Sequence, residues 1–95
     1  MDDYVGLSGT HPQSFRHYLH EHLLRQVKIG CFHPLPAEES DAVAVAARYT
    51  DLLRAQPIDL ICMGIGENGH IAFNDPPVAD FDDPQLVKVV ELDLA

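Results

Sequence analysis

The side chains best suited to chemistry lie in the run Gly64-Ile65-Gly66-Glu67-Asn68-Gly69-His70-Ile71-Ala72-Phe73-Asn74-Asp75-Pro76-Pro77. An imidazole titrates near neutrality and can trade protons with a substrate oxygen. Asp75, close after His70, supplies a carboxylate that can orient the ring and tune its basicity, and Asn68 adds a neutral donor and acceptor. Gly64, Gly66 and Gly69 let the backbone take positive φ and come close to a bound molecule, so they are candidate substrate-binding positions. A second acidic pair, Asp2-Asp3, opens the chain. Alone, such a pair reads as a solvated loop or a helix cap; at the carboxyl end of a strand it is also what proton abstraction beside a carbonyl requires.

The glycine spacing Gly64-x-Gly66-x-x-Gly69 matches a dinucleotide-binding fingerprint, but that fingerprint needs a helix whose N-terminus holds the pyrophosphate. Asn74-Asp75-Pro76-Pro77 leaves no room for a helix of ordinary length. The glycines therefore serve a loop.

A loop of this kind must be delivered by something rigid. Residues 58–63 are short and almost wholly apolar, the pattern of a strand covered on both faces in a parallel sheet, and ligands bind at the carboxyl ends of such strands. Residues 28–32, closed by His33-Pro34, and 86–92, rich in β-branched side chains, read as further strands. Thr10-His11-Pro12-Gln13 fits a capping box with Thr10 as N-cap, which predicts a helix over 12–26 with Phe15, Tyr18, Leu19 and Leu23 on one stripe. Glu38 and Glu39 favour a second helix start, and Val43, Ala46, Ala47, Thr50 and Leu53 carry a 3.6 period, predicting a helix over 38–55. Helices alternating with apolar strands imply an α/β fold with a mainly parallel sheet and right-handed crossovers, in one domain.

Composition narrows the function. Against 15 Asp plus Glu stand 6 Lys plus Arg, a formal charge of −9, which argues against nucleic acid or an anionic membrane as partner. Apolar runs fall far short of the roughly 18 residues that span a bilayer, and no charged, then apolar leader opens the chain, so a cytoplasmic location is expected. Cys31 and Cys62 sit singly in apolar segments and read as buried free thiols. His17, His20 and His22 lack a further residue at ligand spacing and read as a solvated face, not a metal site.

Two motifs carry a resemblance. Asp2-Asp3-Tyr4-Val5-Gly6-Leu7, followed by His11-Pro12-Gln13-Ser14-Phe15, resembles the Asp-Glu-Tyr-Val-Gly-Leu and His-Pro-x-Ser-[Tyr/Phe] segments of the glucosamine-6-phosphate deaminase family. The segment 64–76 is similar to its second signature, Gly-[Ile/Val]-Gly-x-[Asn/Asp]-Gly-His-Ile-[Ala/Gly]-Phe-Asn-Glu-Pro. The resemblance implies a Rossmann-like three-layer fold shared with 6-phosphogluconolactonases and conversion of glucosamine 6-phosphate and water to fructose 6-phosphate and ammonia. It implies a phosphorylated amino sugar as ligand and no metal or organic cofactor.

By the same resemblance Asp2 matches the base that moves the C2 proton, His70 the histidine that opens the pyranose ring, and Asp75 the acid that partners it. Asn68 matches a polar position that is an aspartate in some members. Two departures stand out: Asp75 and Asp3 each replace a glutamate, and the shorter Asp75 must lengthen or remake its contact with His70. The family's phosphate cradle is drawn from an early Ser/Gly-rich turn and late basic residues that this chain does not contain, so the chain reads as the central part of such a fold, without its N- and C-terminal elements and inert by itself. Edges left by missing strands would favour association, so a homo-oligomer is expected. The rival readings are a 6-phosphogluconolactonase, which Gly-His-Thr and an arginine near the opening acids would favour, and a non-catalytic phosphosugar-binding module.

Overall fold

The computed structural model describes residues 2–92. Its helical elements are α1, Phe15–Leu19, which runs on as a π-helical turn at His20–Leu24, and α2, Ala42–Ala55. The chain divides after Val45 into two compact units.

In the first unit the start of α1 is set by a residue far away in sequence. Ser14 stands at the N-cap position but makes no side-chain cap of its own. The carboxylate of Asp3 takes over: Oδ1 accepts from Phe15 N at 2.9 Å, and Oδ2 from Arg16 N at 3.3 Å and Ser14 Oγ at 2.9 Å. A negative oxygen facing the unpaired N–H groups of a first turn satisfies them and suits the positive end of the helix. The expected capping box is thereby corrected. Thr10 Oγ1 pairs with Ser8 Oγ at 3.0 Å, and Gln13 N donates to His11 Nδ1, so Pro12 and Gln13 lie in the turn before the helix.

Arg16 extends the same network. Its Nε donates to Asp3 Oδ2 at 2.8 Å, one Nη pairs with Glu38 and the other donates to the Leu7 carbonyl at 2.6 Å. Gly6 N donates to the Ala37 carbonyl at 2.7 Å, tying the opening loop to the segment before α2. Glu38 is thus engaged by Arg16, not by a helix start. α2 begins at Ala42, four residues later than expected, where Asp41 Oδ1 accepts from Ala44 N at 3.1 Å in the manner of an N-cap.

A side chain also bonds within the π turn. His22 Nδ1 donates to the Tyr18 carbonyl at 2.9 Å and its ring stacks on Tyr18 with centroids 4.1 Å apart. Arg25 N bonds to the His20 carbonyl at 3.2 Å, five residues back, as a π register requires. His20 and His22 are exposed.

The expected strands are not formed among the described residues. Segments 28–32, 58–63 and 86–92 have no ladder partner, and the bridges present are the isolated pairs Ile65 with Ile71 and Ile71 with Asn74. A strand exists only against a neighbour, and none of these runs pairs with another. Residues 58–63, expected to be covered on both faces, are uncovered in this structure: Leu60 is 81% exposed and Ile61 64%. The thiols of Cys31 and Cys62 are free, as expected, but exposed, since they sit in these same uncovered runs. Lys88, inside the third run, is drawn into an ion pair with Asp83 at 2.6 Å and a bond to the Val78 carbonyl at 2.8 Å.

Buried side chains among the described residues are correspondingly few: Ala37 and Val45 on the apolar side, Ser14 and Arg16 on the polar side. The Asp3 carboxylate is wholly enclosed. Burial pushes its pKa up, but the bonds from Phe15 N, Ser14 Oγ, Tyr4 N and Arg16 N together bring it below the ordinary carboxyl value. A carboxyl lowered by folding adds stability that is complete above its unfolded pKa, about 3.9, and disappears as pH falls through the lower folded value. Thermal melts between pH 7 and pH 3 should therefore show a steep loss of midpoint below about pH 4 that is blunted in Asp3→Asn; equal acid dependence of the two proteins would remove Asp3 from this role.

Candidate functional site

The loop 64–75 closes on itself through main-chain bonds before any side chain is considered. Gly66 N donates to the His70 carbonyl at 2.9 Å and Gly69 N to the Gly66 carbonyl at 3.0 Å, a tight turn that leaves through a positive φ of 83° at Gly69. A second reversal follows. Ala72 adopts φ 55°, and Asn74 sends both its backbone N and its Nδ2 to the Ile71 carbonyl, each at 3.1 Å. A left-handed alanine costs about 1–3 kcal/mol and persists where the surroundings impose it. Here it turns the chain so that Asp75 comes back to His70.

The three side chains that result are brought together. Asn68 Oδ1 lies 2.5 Å from His70 Nδ1 and also accepts from the His70 backbone N at 3.1 Å. Asn68 Nδ2 donates to Asp75 Oδ1 at 3.2 Å, and the same Asp75 oxygen lies 3.4 Å from His70 Nδ1. Asn68 therefore bridges the pair, with the direct histidine–carboxylate contact long. An amide oxygen only accepts, so Nδ1 carries a proton. In the neutral ring the lone pair is then on Nε2. That leaves one basic nitrogen on a ring held from its other side, the arrangement a proton-transfer histidine needs. The His70 side chain is 32% exposed and that of Asp75 23%, open enough to meet a ligand.

The glycines separate into different roles. A Cβ at Gly66 would collide with the His70 ring, so that position is glycine because the imidazole folds over it. Gly69 serves the turn. Gly64 meets open space, and neither Gly64 nor Gly66 has positive φ, so of the three glycines expected to use that freedom Gly69 is the one that does.

Asp2 belongs to the first unit, where it is half-buried and makes no hydrogen bond or ion pair with a described residue. Its neighbour Asp3 is the opposite case, with both oxygens filled. The pattern Asp2-Asp3 reveals two acids but not which is spent on structure; only Ser14 and Arg16, eleven and thirteen residues on, decide it. Arg16, which lies within the expected helix, is the buried cation of the unit. Among the described residues no three His, Cys, Asp or Glu side chains gather as a metal site, and no helix is long and apolar enough to cross a membrane.

Residues 6–90 match the model of the family described as glucosamine-6-phosphate isomerases/6-phosphogluconolactonase. The chain is 46% identical over 79 residues to a glucosamine-6-phosphate deaminase of Exiguobacterium, covering 83% of this chain and 31% of that protein. It is 42% identical over 95 residues to glucosamine-6-phosphate deaminase 2 of Bacillus subtilis, covering 96% of this chain and 38% of that one. A glucosamine-6-phosphate deaminase of Streptococcus pneumoniae serotype 4 is 42% identical over 94 residues, covering 98% and 39%. The chain thus spans 31% to 39% of the length of these curated relatives. It belongs to the glucosamine-6-phosphate isomerase/6-phosphogluconolactonase family, whose fold is α/β.

The collision at Gly66 gives a paired test. Gly66→Ala should displace the His70 imidazole and shift its NMR side-chain resonances, while Gly64→Ala leaves them in place; equal responses to the two substitutions would show that His70 does not lie over Gly66.

Proposed function

We propose that this chain is the acid–base portion of an amino-sugar-phosphate deaminase/isomerase that converts glucosamine 6-phosphate and water to fructose 6-phosphate and ammonia. The observation that carries the reading is the Asn68–His70–Asp75 cluster, with a protonated Nδ1 and a free Nε2, in a chain whose relatives bear the name of that enzyme. In this reading His70 Nε2 takes the proton of the anomeric hydroxyl and returns one to the ring oxygen as the C1–O5 bond breaks. Asp2, whose carboxylate is not engaged by a described residue, then removes the C2 proton beside the open-chain carbonyl. Protonation at C1 places an imine at C2, and addition of water there expels ammonia, so one water enters and one ammonia leaves. Asn68 and Asp75 hold the ring, and Gly64, Gly66 and Gly69 bring backbone close to the sugar.

The same reading places 28–32, 58–63 and 86–92 as strands of a mainly parallel, Rossmann-like sheet in a single cytoplasmic domain that pairs into a homo-oligomer. Their exposed apolar surface supports it, since residues of this type gain about 25 cal/mol for each Å² covered. A phosphosugar carries close to two negative charges near pH 7, and its anchoring is assigned to elements other than this acidic chain.

Kinetics of the intact protein test the roles. His70→Gln should lower kcat by about tenfold to a thousandfold on the cyclic substrate and less on a ring-opened analogue; equal losses would deny it ring opening. Asp2→Asn should abolish solvent hydrogen exchange at C2 with substrate affinity nearly unchanged, the mark of an interaction made in the transition state. Continued exchange would assign the base elsewhere.

A further inference from the structure

We propose that Asp3 and Arg16 are positioning residues for Asp2: the buried pair fixes the backbone on which the proposed base is carried. The inference rests on Asp2 acting as that base. Consecutive Cα atoms are a fixed 3.8 Å apart, so immobilising Asp3 leaves Asp2 only its own torsions. Asp3 is immobilised thoroughly. Its side chain is 0% exposed, Oδ1 accepts from Tyr4 N and Phe15 N at 2.9 Å each, and Oδ2 is held by Ser14 Oγ, Arg16 N and Arg16 Nε.

Arg16 makes this a clamp and not a simple cap. A guanidinium presents donors in a rigid planar fork, and here each edge of the fork reaches a different segment. Nε holds Asp3, one Nη holds Glu38, and the other holds the Leu7 carbonyl beyond the Tyr4-Val5-Gly6 turn. The residues on the C-terminal side of Asp2 are therefore pinned at two points, Asp3 and Leu7, by one side chain. The adjacent acids divide the work: one is wholly consumed in structure, and the other keeps its carboxylate clear of described partners. The clamp also accounts for a buried arginine next to the shorter of two possible acids. Aspartate brings its carboxylate close to its own backbone, so rigidity at the carboxylate is passed to the main chain through few bonds.

A base displaced by about 1 Å from its proton can lose about a hundredfold in rate while binding survives. Lysine cannot reproduce a three-way fork. Arg16→Lys in the intact protein should accordingly lower kcat for deamination by about tenfold to a hundredfold, with KM changed less than about threefold, and slow C2 exchange in parallel. The double variant Asp3→Asn with Arg16→Met removes both charges together and spares the protein an unpaired buried ion, so it provides a folded clamp-free protein if Arg16→Lys is unstable. It should show the same split between kcat and KM. Glu38→Gln alters the exposed end of the network, 52% exposed, and should cost at least about twofold in kcat even if neither buried variant folds. Arg25→Met, which breaks the exposed Arg25–Glu21 pair at 2.6 Å, should leave kcat unchanged.

Folded variants, judged by circular dichroism and a cooperative melt, that keep the parent kcat would overturn the proposal, as would a Glu38→Gln protein of parent activity where it alone folds. Asp2→Asn separates this failure from that of the underlying reading. If Asp2→Asn is inactive in exchange while Arg16→Lys has the parent rate, only the clamp is wrong; if Asp2→Asn still exchanges, Asp2 is not the base and the clamp has nothing to position.

Discussion

A carboxylate withdrawn from water costs several kcal/mol unless its lone pairs are given donors and its charge a partner, and the first unit is arranged around meeting that demand at Asp3. The donors come from the turn at Tyr4, from Ser14 and the first turn of α1, and from Arg16. Once Arg16 is buried as well, its remaining N–H groups must be satisfied, which draws in Leu7 and Glu38. The late start of α2 and the displaced start of α1 both follow from this chain of obligations. Removing Arg16 would leave the enclosed Asp3 carboxylate without its counter-ion, and removing Asp3 would leave the buried Arg16 with the half-exposed Glu38 as its one ion partner among the described residues. Loss of one member of such a pair typically costs about 3–5 kcal/mol.

The glycine loop solves a different problem, that of holding a histidine without a helix or strand beneath it. It does so with two successive chain reversals, one at Gly69 and one at Ala72, that cross-link residues 66–74 by backbone bonds. The side chains then have little freedom left. Asn68 is decisive, because an amide can accept from the imidazole with its oxygen and donate to a carboxylate with its nitrogen, which an aspartate at that position could not do in its ionised form. Asparagine at 68 and the shorter aspartate at 75 belong together physically, since the amide spans the gap that the short carboxylate leaves.

Much of this was legible in the residues. The loop could be located from its glycines and prolines, and His70, Asn68 and Asp75 could be grouped from spacing. The helices were visible from their apolar period, although both begin later than local capping rules suggest. What the sequence hid was long-range. Capping rules look a few residues back, and the cap of α1 comes from Asp3; nothing near Arg16 announces that it will be buried. The run at 58–63 is apolar, but a strand is a property of two chains of backbone, and among the described residues no second one lies beside it. Cys31 and Cys62 are exposed for the same reason.

The most direct measurement of the account follows the nitrogen. Glucosamine 6-phosphate labelled with ¹⁵N, incubated with the intact protein, should release labelled ammonium in step with fructose 6-phosphate, one for one, by NMR. Labelled sugar that remains intact while 6-phosphogluconolactone is hydrolysed by the same preparation would contradict it, and would reassign the Asn68–His70–Asp75 cluster to ester hydrolysis.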